Sequence, residues 1–448
     1  MNKKYFSFIL AAAIFFFWAS WQTRPLPLQT GAQGKTLHDE ATPLITLTTV
    51  ALGGFRGLLV DLLWMRLITI QAEGKVFEIA QLADWITKLE PQFTTVWSFH
   101  AWNMAYNISI LFSNPEHRWL WIRNGIQLLR DEALQYNPND PVLYHDLGWL
   151  YQHKIGQEWD DMHFYYKIKL AEEMTELFGG ARPDFSKAAG LPATVSKKMR
   201  NEYKLYPEIM QAIERKYCPF DWRMPESHAI YWAYRGLHEA APGKDTSSCD
   251  HMLFQCLAAE FRHGRLFFDP KAGIYVATPL FTALPGTLKA YEEGIKRRHS
   301  ELFETAYINF LAEAVFFLHA YGKDGEAKQL FDRMLSEAPQ LRGKMNFEKY
   351  LRDCDQTDIA RLPSANAVAV IEGLLFQSYA PSSTHSSERA QALQSRAKML
   401  WEQYMKSNDN PMTLKYFPSF ALIEGQARQR ALKIEEGTKN ERMPEHQE

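Results

Sequence analysis

Two clusters of side chains in this 448-residue sequence are of the types that bind metals or move protons. The first is Cys249, His251, Cys256 and His263; the second is His145, His153, Asp160, Asp161 and His163. Structural zinc sites need four thiolate or imidazole ligands closing on one point, and fingers and knuckles supply them as closely spaced pairs. The first cluster fits no such spacing, and the four cysteines of the chain include no C-x-x-C. Cys249, His251, Cys256 and His263 are therefore weak metal candidates, and no metal or cofactor is expected. A Cys249–Cys256 disulfide or buried free thiols are the competing fates of the sulfurs. In the second cluster a helix would carry His145 and His153 on similar faces, with the acids following a turn at Gly156; solvated or hydrogen-bonded histidines are the default there. No G-x-S-x-G, Walker A, H-E-x-x-H, G-x-G-x-x-G or C-x-x-C-H occurs, so no catalytic residue is assigned and the chain reads as a binding protein, not an enzyme.

The composition sets the frame for these clusters. Hydrophobic residues at 46%, charged residues at 23% and aromatics at 14% describe a folded chain, and 24 Gly with 22 Pro exclude collagen-like sequence. A net charge of −2 provides no field to hold a polyanion, so no nucleic-acid partner is implied.

The amino terminus points to a membrane. Lys3 and Lys4 precede an uncharged run, Tyr5 to Trp21, that as a helix would reach roughly 25 Å. Phe15, Phe16, Phe17, Trp18 and Trp21 crowd its outer end, where aromatic rings favour the interface. A cleaved signal needs small residues at the end of the run, and Ala19-Ser20-Trp21 places a Trp there, which favours an uncleaved anchor. The lysines put the amino terminus in the cytoplasm and the body on the extracytoplasmic, periplasmic side of the inner membrane. A second apolar stretch, Ile45 to Ile70, carries Arg56, Asp61 and Arg66 at about 0°, 140° and 280° around a helix, which leaves no lipid-facing side. It is expected to be a helix buried in protein.

Helical periodicity dominates the remainder, with Ile274 to Leu280 the best strand candidate. Ile79 to Pro91 and Ile126 to Pro138 are two helices closed by proline, each followed by a further apolar helix. After Pro138 the order is Tyr144, Leu147, Gly148, Tyr151. Further on, Ala327 and Phe331 fall four apart before Pro339, and the helix before them ends at Gly322. This pattern resembles the tetratricopeptide repeat (TPR), whose signature is W-x2-L-G-x2-Y, then A-x3-F, then P. After Pro91, Trp97 and Ala101 fill the same places in part. Ala365 to Tyr379 and Glu388 to Met405 suggest one more helix pair.

The resemblance implies an all-α fold, an α-solenoid of TPR-like helical hairpins with a divergent central helical and loop insertion and one N-terminal transmembrane helix. The expected organisation is an anchor at 1–22, a polar linker at 23–44, repeats at 45–155, an irregular insertion at 156–300, hairpins at 301–425 and a disordered tail at 426–448. In such arrays the first helix of each pair lines a concave groove, which would place Ser98, Trp102 and Tyr106 on one pair and His145, Trp149 and His153 on the next. Core packing is the competing role for Trp102 and Trp149, and the expected one for Trp119, Trp121, Trp222, Trp232 and Trp401. The implied function is a single-pass scaffold or adaptor that binds protein partners, themselves membrane or envelope proteins. The alternatives are an enzyme with its site in 156–300, using Cys249, His251 and the acids around Asp160, and a cleaved, secreted binding protein.

Overall fold

The computed structural model describes residues 55–183, 185, 191–380 and 387–441. The expected anchor Tyr5–Trp21 and the linker 23–44 lie outside the described residues. Among the described residues no helix is long and apolar enough to cross a membrane. The described residues are mostly helical, with one β-hairpin among them, and the chain divides into two compact units at Pro138 and Asn139.

The first unit begins with α1 (Phe55–Ala72) and α2 (Val76–Leu89). Val60, Leu67 and Ile70 of α1 are buried with Ile79, Leu82, Ala83 and Ile86 of α2. The charges that exclude a membrane span are used here: Arg56 pairs with Glu90 at 2.9 Å and Arg66 with Glu78 at 3.0 Å. The expectation that α1 is wholly buried fails, because Leu58, Leu62, Met65 and Ile68 are more than half exposed. Apolar residues stand on every side of the helix, interspersed with Arg56, Asp61 and Arg66, and α2 covers only one of its faces.

Helix α3 (Thr94–Trp102) continues into a π-helical turn (Asn103–Ile108) and packs on α4 (Pro115–Gln127), which starts at a proline with Asn114 as its cap. A Cβ on Gly125 of α4 would sit 2.9 Å from the carbonyl oxygen of Ala101, the small residue of the partial repeat match, so the close approach of the two helices depends on Gly125, which the repeat pattern does not single out. The Trp97 indole and the Asn137 amide both donate to the Pro91 carbonyl at 2.8 Å, tying the two proline-closed helix ends together.

In the second unit, α5 (Pro141–Trp149) is capped by Asp140 and runs on as a π-helical turn (Leu150–Ile155). After it come α6 (His163–Phe178), α7 (Ala193–Lys198), α8 (Pro207–Lys216), α9 (Pro225–Glu239) and α10 (Ser247–His263). The repeat signature lies on α5, where Tyr144, Leu147, Gly148 and Tyr151 are all buried. The helix that Gly148 admits is not the next in sequence. A Cβ there would meet Met252 Sδ of α10 at 2.5 Å and the Ala229 carbonyl of α9 at 3.4 Å, and one on Gly236 of α9 would meet Tyr144 Cβ at 2.9 Å. Residues 156–224 thus intervene between the two helices of one pair, and the middle region furnishes core helices.

A two-stranded antiparallel hairpin follows, β1 (Arg265–Asp269) with β2 (Ile274–Thr278); β2 corresponds to the strand candidate, and β1 was not expected. Helix α11 (Leu284–Arg298) leads to α12 (Glu301–Ala320) and α13 (Asp324–Glu337), which pair across Gly322 at φ +71°. Ala327 and Phe331 are buried on α13. Then come α14 (Phe347–Asp355), α15 (Ser364–Tyr379), α16 (Ser387–Ser407), α17 (Pro411–Tyr416) and α18 (Phe420–Glu441). Helix α15 packs against both α16 and α18. The stretch after Gly425, expected to be a disordered tail, instead continues α18 to Glu441, because Ile423, Ala427 and Ala431 recur every fourth residue and are buried. Residues 442–448 lie outside the described residues.

Gly236→Ala is expected to lower unfolding stability by about 1–3 kcal/mol in chemical denaturation, since the new methyl overpacks the α5–α9 seam. The exposed helical Gly325, whose Cβ would meet open space, is the control; its Ala variant should be neutral or stabilising by up to about 1 kcal/mol.

Candidate functional site

Of the six residues assigned to a partner groove, Ser98, Trp102 and Tyr106 belong to the first unit and His145, Trp149 and His153 to the second. Trp102 is 42% exposed and stacks on Tyr106 with centroids 5.8 Å apart, so core packing is not its role. Ser98 Oγ is buried with no hydrogen-bond partner among the described residues. On α5 the rings form a ladder: His145 on Trp149 at 6.1 Å, Trp149 on His153 at 4.6 Å, His153 on Trp159 at 6.5 Å, all within 28° of parallel. Burial and the neighbouring Lys154 lower the pKa of His153, which keeps its ring neutral at pH 7. Trp159, at 82% exposure, ends the ladder. It was not singled out from the sequence because it lies beyond the helix that carries the repeat pattern. By contrast Trp119, Trp222 and Trp232 are buried and Trp121 and Trp401 half-buried, as packing residues.

The weak metal candidates do not converge. Cys249, Cys256 and His263 share one face of α10 but follow one another at intervals of about 10 Å along its axis. That separation also excludes a Cys249–Cys256 bridge, and both are buried free thiols. Burial and Asp250 push the Cys249 thiol up to about 12, so it supplies no thiolate at neutral pH. His251 is engaged by Gln255 at 2.9 Å and stacked on Phe303. Among the described residues no group of three or more His, Cys, Asp or Glu is arranged to hold a metal ion.

The second cluster disperses as well. Asp160 is an ion-pair partner of buried Lys154 at 2.5 Å, accepts the Met162 N–H at 2.9 Å and takes the Tyr166 hydroxyl at 3.2 Å. His163 is buried and lowered to about 3 by that burial and by Lys167. His145 contacts Asp146 at 2.9 Å, and Asp161 is exposed.

What the second unit does bring together is a cavity of about 380 Å³ among α6, α9, α10, β2, α12 and α15. Lys167, Glu226, Arg262, His263, Tyr275 and Glu313 supply its polar wall, and Phe164, Val368, Tyr416 and Phe417 its apolar one. A second cavity of about 540 Å³ shares Gln157, Glu226, Arg262 and Glu313 with it and is lined by Gln152, Gln255 and Asn309. Glu226, 4% exposed, lines both cavities and accepts from His263 Nε2 at 3.3 Å. Burial alone would raise its carboxyl, but the His263 hydrogen bond and the charges of His263 and Lys167 outweigh burial and leave it ionised. Lys167 contacts His163 Nδ1 at 3.4 Å; burial holds its ammonium below the usual lysine range against the pull of Glu158 and Glu226. Glu158 accepts the hydroxyl and the backbone N–H of Ser364, capping the start of α15.

Behind Glu226 lies Glu260, wholly buried on α10. Burial and the charge of Glu226 push its carboxyl well above the ordinary range, although Ser227 works the other way. The geometry agrees. Ser227 Oγ is 2.7 Å from Glu260 Oε1 and 2.9 Å from the Asp221 carbonyl, and its single proton cannot serve both. A protonated Glu260 donates to Ser227, which donates to Asp221. Neither Glu226 nor Glu260 carried a sequence signal: the first reads as a helix-start acid after Pro225, the second as one polar position in a helix.

Glu260 makes stability depend on pH with a defined sign. The folded state holds a proton that the unfolded state releases above about pH 4.5. Its contribution is therefore complete below that pH and is lost as pH rises through the folded value. Denaturation of wild type and Glu260→Gln from pH 5 to 8 should show wild type losing stability relative to the variant as pH rises. A constant difference would mean that Glu260 is ionised in the fold.

No protein-family model matches this chain and no curated protein does, so a functional reading rests on the chemistry of these side chains.

Proposed function

We propose that the chain is a membrane-anchored, TPR-like helical scaffold that holds a protein partner on the extracytoplasmic side of the inner membrane. The observation that carries the reading is the ring ladder of α5, from His145 through Trp149 and His153 to the exposed Trp159. Large rings with few rotatable bonds lose little entropy on contact and dominate the energy of protein interfaces. Three half-buried rings that end in an exposed tryptophan leave an aromatic edge open to a partner.

The order of helix pairs supports the solenoid part of the proposal. In the first unit α1 packs on α2 and α3 on α4; in the second α5 packs on α9, α10 on α11, α12 on α13, and α15 on α16. Each pair hides an apolar face that one helix cannot hide alone, which is the physical basis of repeat stacking. The anchor rests on the sequence of Tyr5–Trp21. Holding the body at a membrane raises its local concentration toward other membrane proteins, so modest affinity at the ladder suffices.

Crosslinking and pull-down from native membranes test the surface. Trp159→Ala should leave folding within about 0.5 kcal/mol of wild type while reducing recovery of partners several-fold, and Trp149→Ala and Trp102→Ala should also reduce it. Partners recovered undiminished from all three variants would sink the adaptor role whatever the fold.

A further inference from the structure

The scaffold reading makes no use of the 380 Å³ cavity, and its wall is built for a particular kind of ligand. Glu226 Oε2 is buried and has no hydrogen-bond partner among the described residues. An ionised oxygen removed from water without a donor is costly, and proteins keep such a group where a ligand completes it. Lys167 is the complementary group. An ammonium has three donors and His163 takes one. The other charged groups of the wall are already answered: Arg262 by Glu313 at 2.7 Å, Glu158 by Ser364. Glu226 Oε2 and two of the Lys167 donors therefore remain in the same cavity, together with His263 Nδ1, which is also buried without a partner among the described residues, and with Phe164, Tyr416, Phe417 and Val368 beside them.

We propose that this cavity binds a small zwitterion with an apolar body, the chemistry of a free apolar amino acid or a dipeptide. Its ammonium would complete Glu226 and its carboxylate Lys167, while the side chain packs on the aromatic wall. A plain anion such as phosphate would face three carboxylates, Glu158, Glu226 and Glu313, and a plain organic cation would face Lys167 and Arg262. A ligand with both charges satisfies both groups. The volume falls in the range of about 300–1,000 Å³ typical of small-molecule sites.

Isothermal titration of the full-length, detergent-solubilised protein with L-phenylalanine and L-leucyl-L-phenylalanine decides the matter. At least one of them should bind saturably. N-acetyl-L-phenylalanine, which lacks the ammonium, and L-phenylalaninamide, which lacks the carboxylate, should each bind at least about tenfold more weakly than L-phenylalanine or the dipeptide, because each leaves one buried charge unpaired. Ala365→Trp, at the cavity wall, should abolish binding in a protein that circular dichroism shows to be folded, and Glu226→Gln should erase the preference for the free ammonium. Should Glu226→Gln fail to fold, the ligand comparison on the native chain stands by itself. Absence of binding by both zwitterions at millimolar concentration, or equal affinity for all the ligands, would overturn the proposal.

Discussion

With no side chain at Gly148 or Gly236, α5 and α9 come close enough that the Tyr144 ring packs directly on the neighbouring backbone. That seam is also locked by polar contacts: the Tyr144 hydroxyl donates to Glu239 at 2.6 Å, and Arg235 both pairs with Glu239 and lies over the rings of Tyr144, Tyr206, Tyr231 and Trp232. A half-buried guanidinium placed over aromatic faces and held by a carboxylate keeps its charge at low cost. The seam fixes where α9 begins, and Glu226 stands in the first turn of that helix. The same seam fixes α10, through Met252 against Gly148, and α10 carries Glu260, Arg262 and His263. The cavity therefore inherits its geometry from a contact that involves none of its own lining.

Buried carboxylates recur through the second unit, and each is handled by a different device. Asp250 is neutralised by Arg297 at 2.5 Å and Arg298 at 2.9 Å, which join α10 to α11. Glu372 of α15 is met by the Tyr321 hydroxyl and by Arg430 of α18 at 3.3 Å. Glu260 gives up its charge by taking a proton. In the first two, removing one partner would strand a charge in low dielectric, so they act as fixed cross-ties between helices. Glu226 differs in where it stands: like Glu372 it leaves one oxygen without a hydrogen-bond partner among the described residues, but it lines a cavity.

How far the sequence could be read follows from the range of the contacts involved. The α12–α13 pair was legible because everything that makes it is local: a Gly at positive φ, an apolar face at helical spacing and a closing Pro339. The helix that carries Tyr144 and Gly148 was legible for the same reason, but its partner was not. Residues 156–224 separate the two, and no periodicity in α5 encodes which later helix fits beside a missing side chain. The charge-rich stretch after Gly425 carries little to form a core, yet Ala427 and Ala431, continuing the spacing of Ile423, are enough once α15 offers a face. The polar wall of the cavity was invisible in sequence because its members come from α6, α9, α10 and α12, each contributing a charged residue of ordinary type.

The ladder owes its closest contact to the π-helical turn. His145 and Trp149 stand four apart in regular α-helix and stack at 6.1 Å and 28°; Trp149 and His153, also four apart but spanning the π-turn, stack at 4.6 Å and 11°. A wider turn brings residues i and i+4 more nearly into line along the axis than an α-turn does, so flat rings meet face to face. The same register turns Tyr151 inward onto His228 at 4.8 Å and Lys154 inward to Asp160. Asp160 in turn pins the loop that carries Trp159, and Glu158 pins it again at Ser364. An exposed tryptophan on a loose loop would lose much of its contact energy to ordering on association. Here the loop is braced on both sides of Trp159, so the ring is presented already ordered, and the ion pair that holds it is buried where salt screens it little.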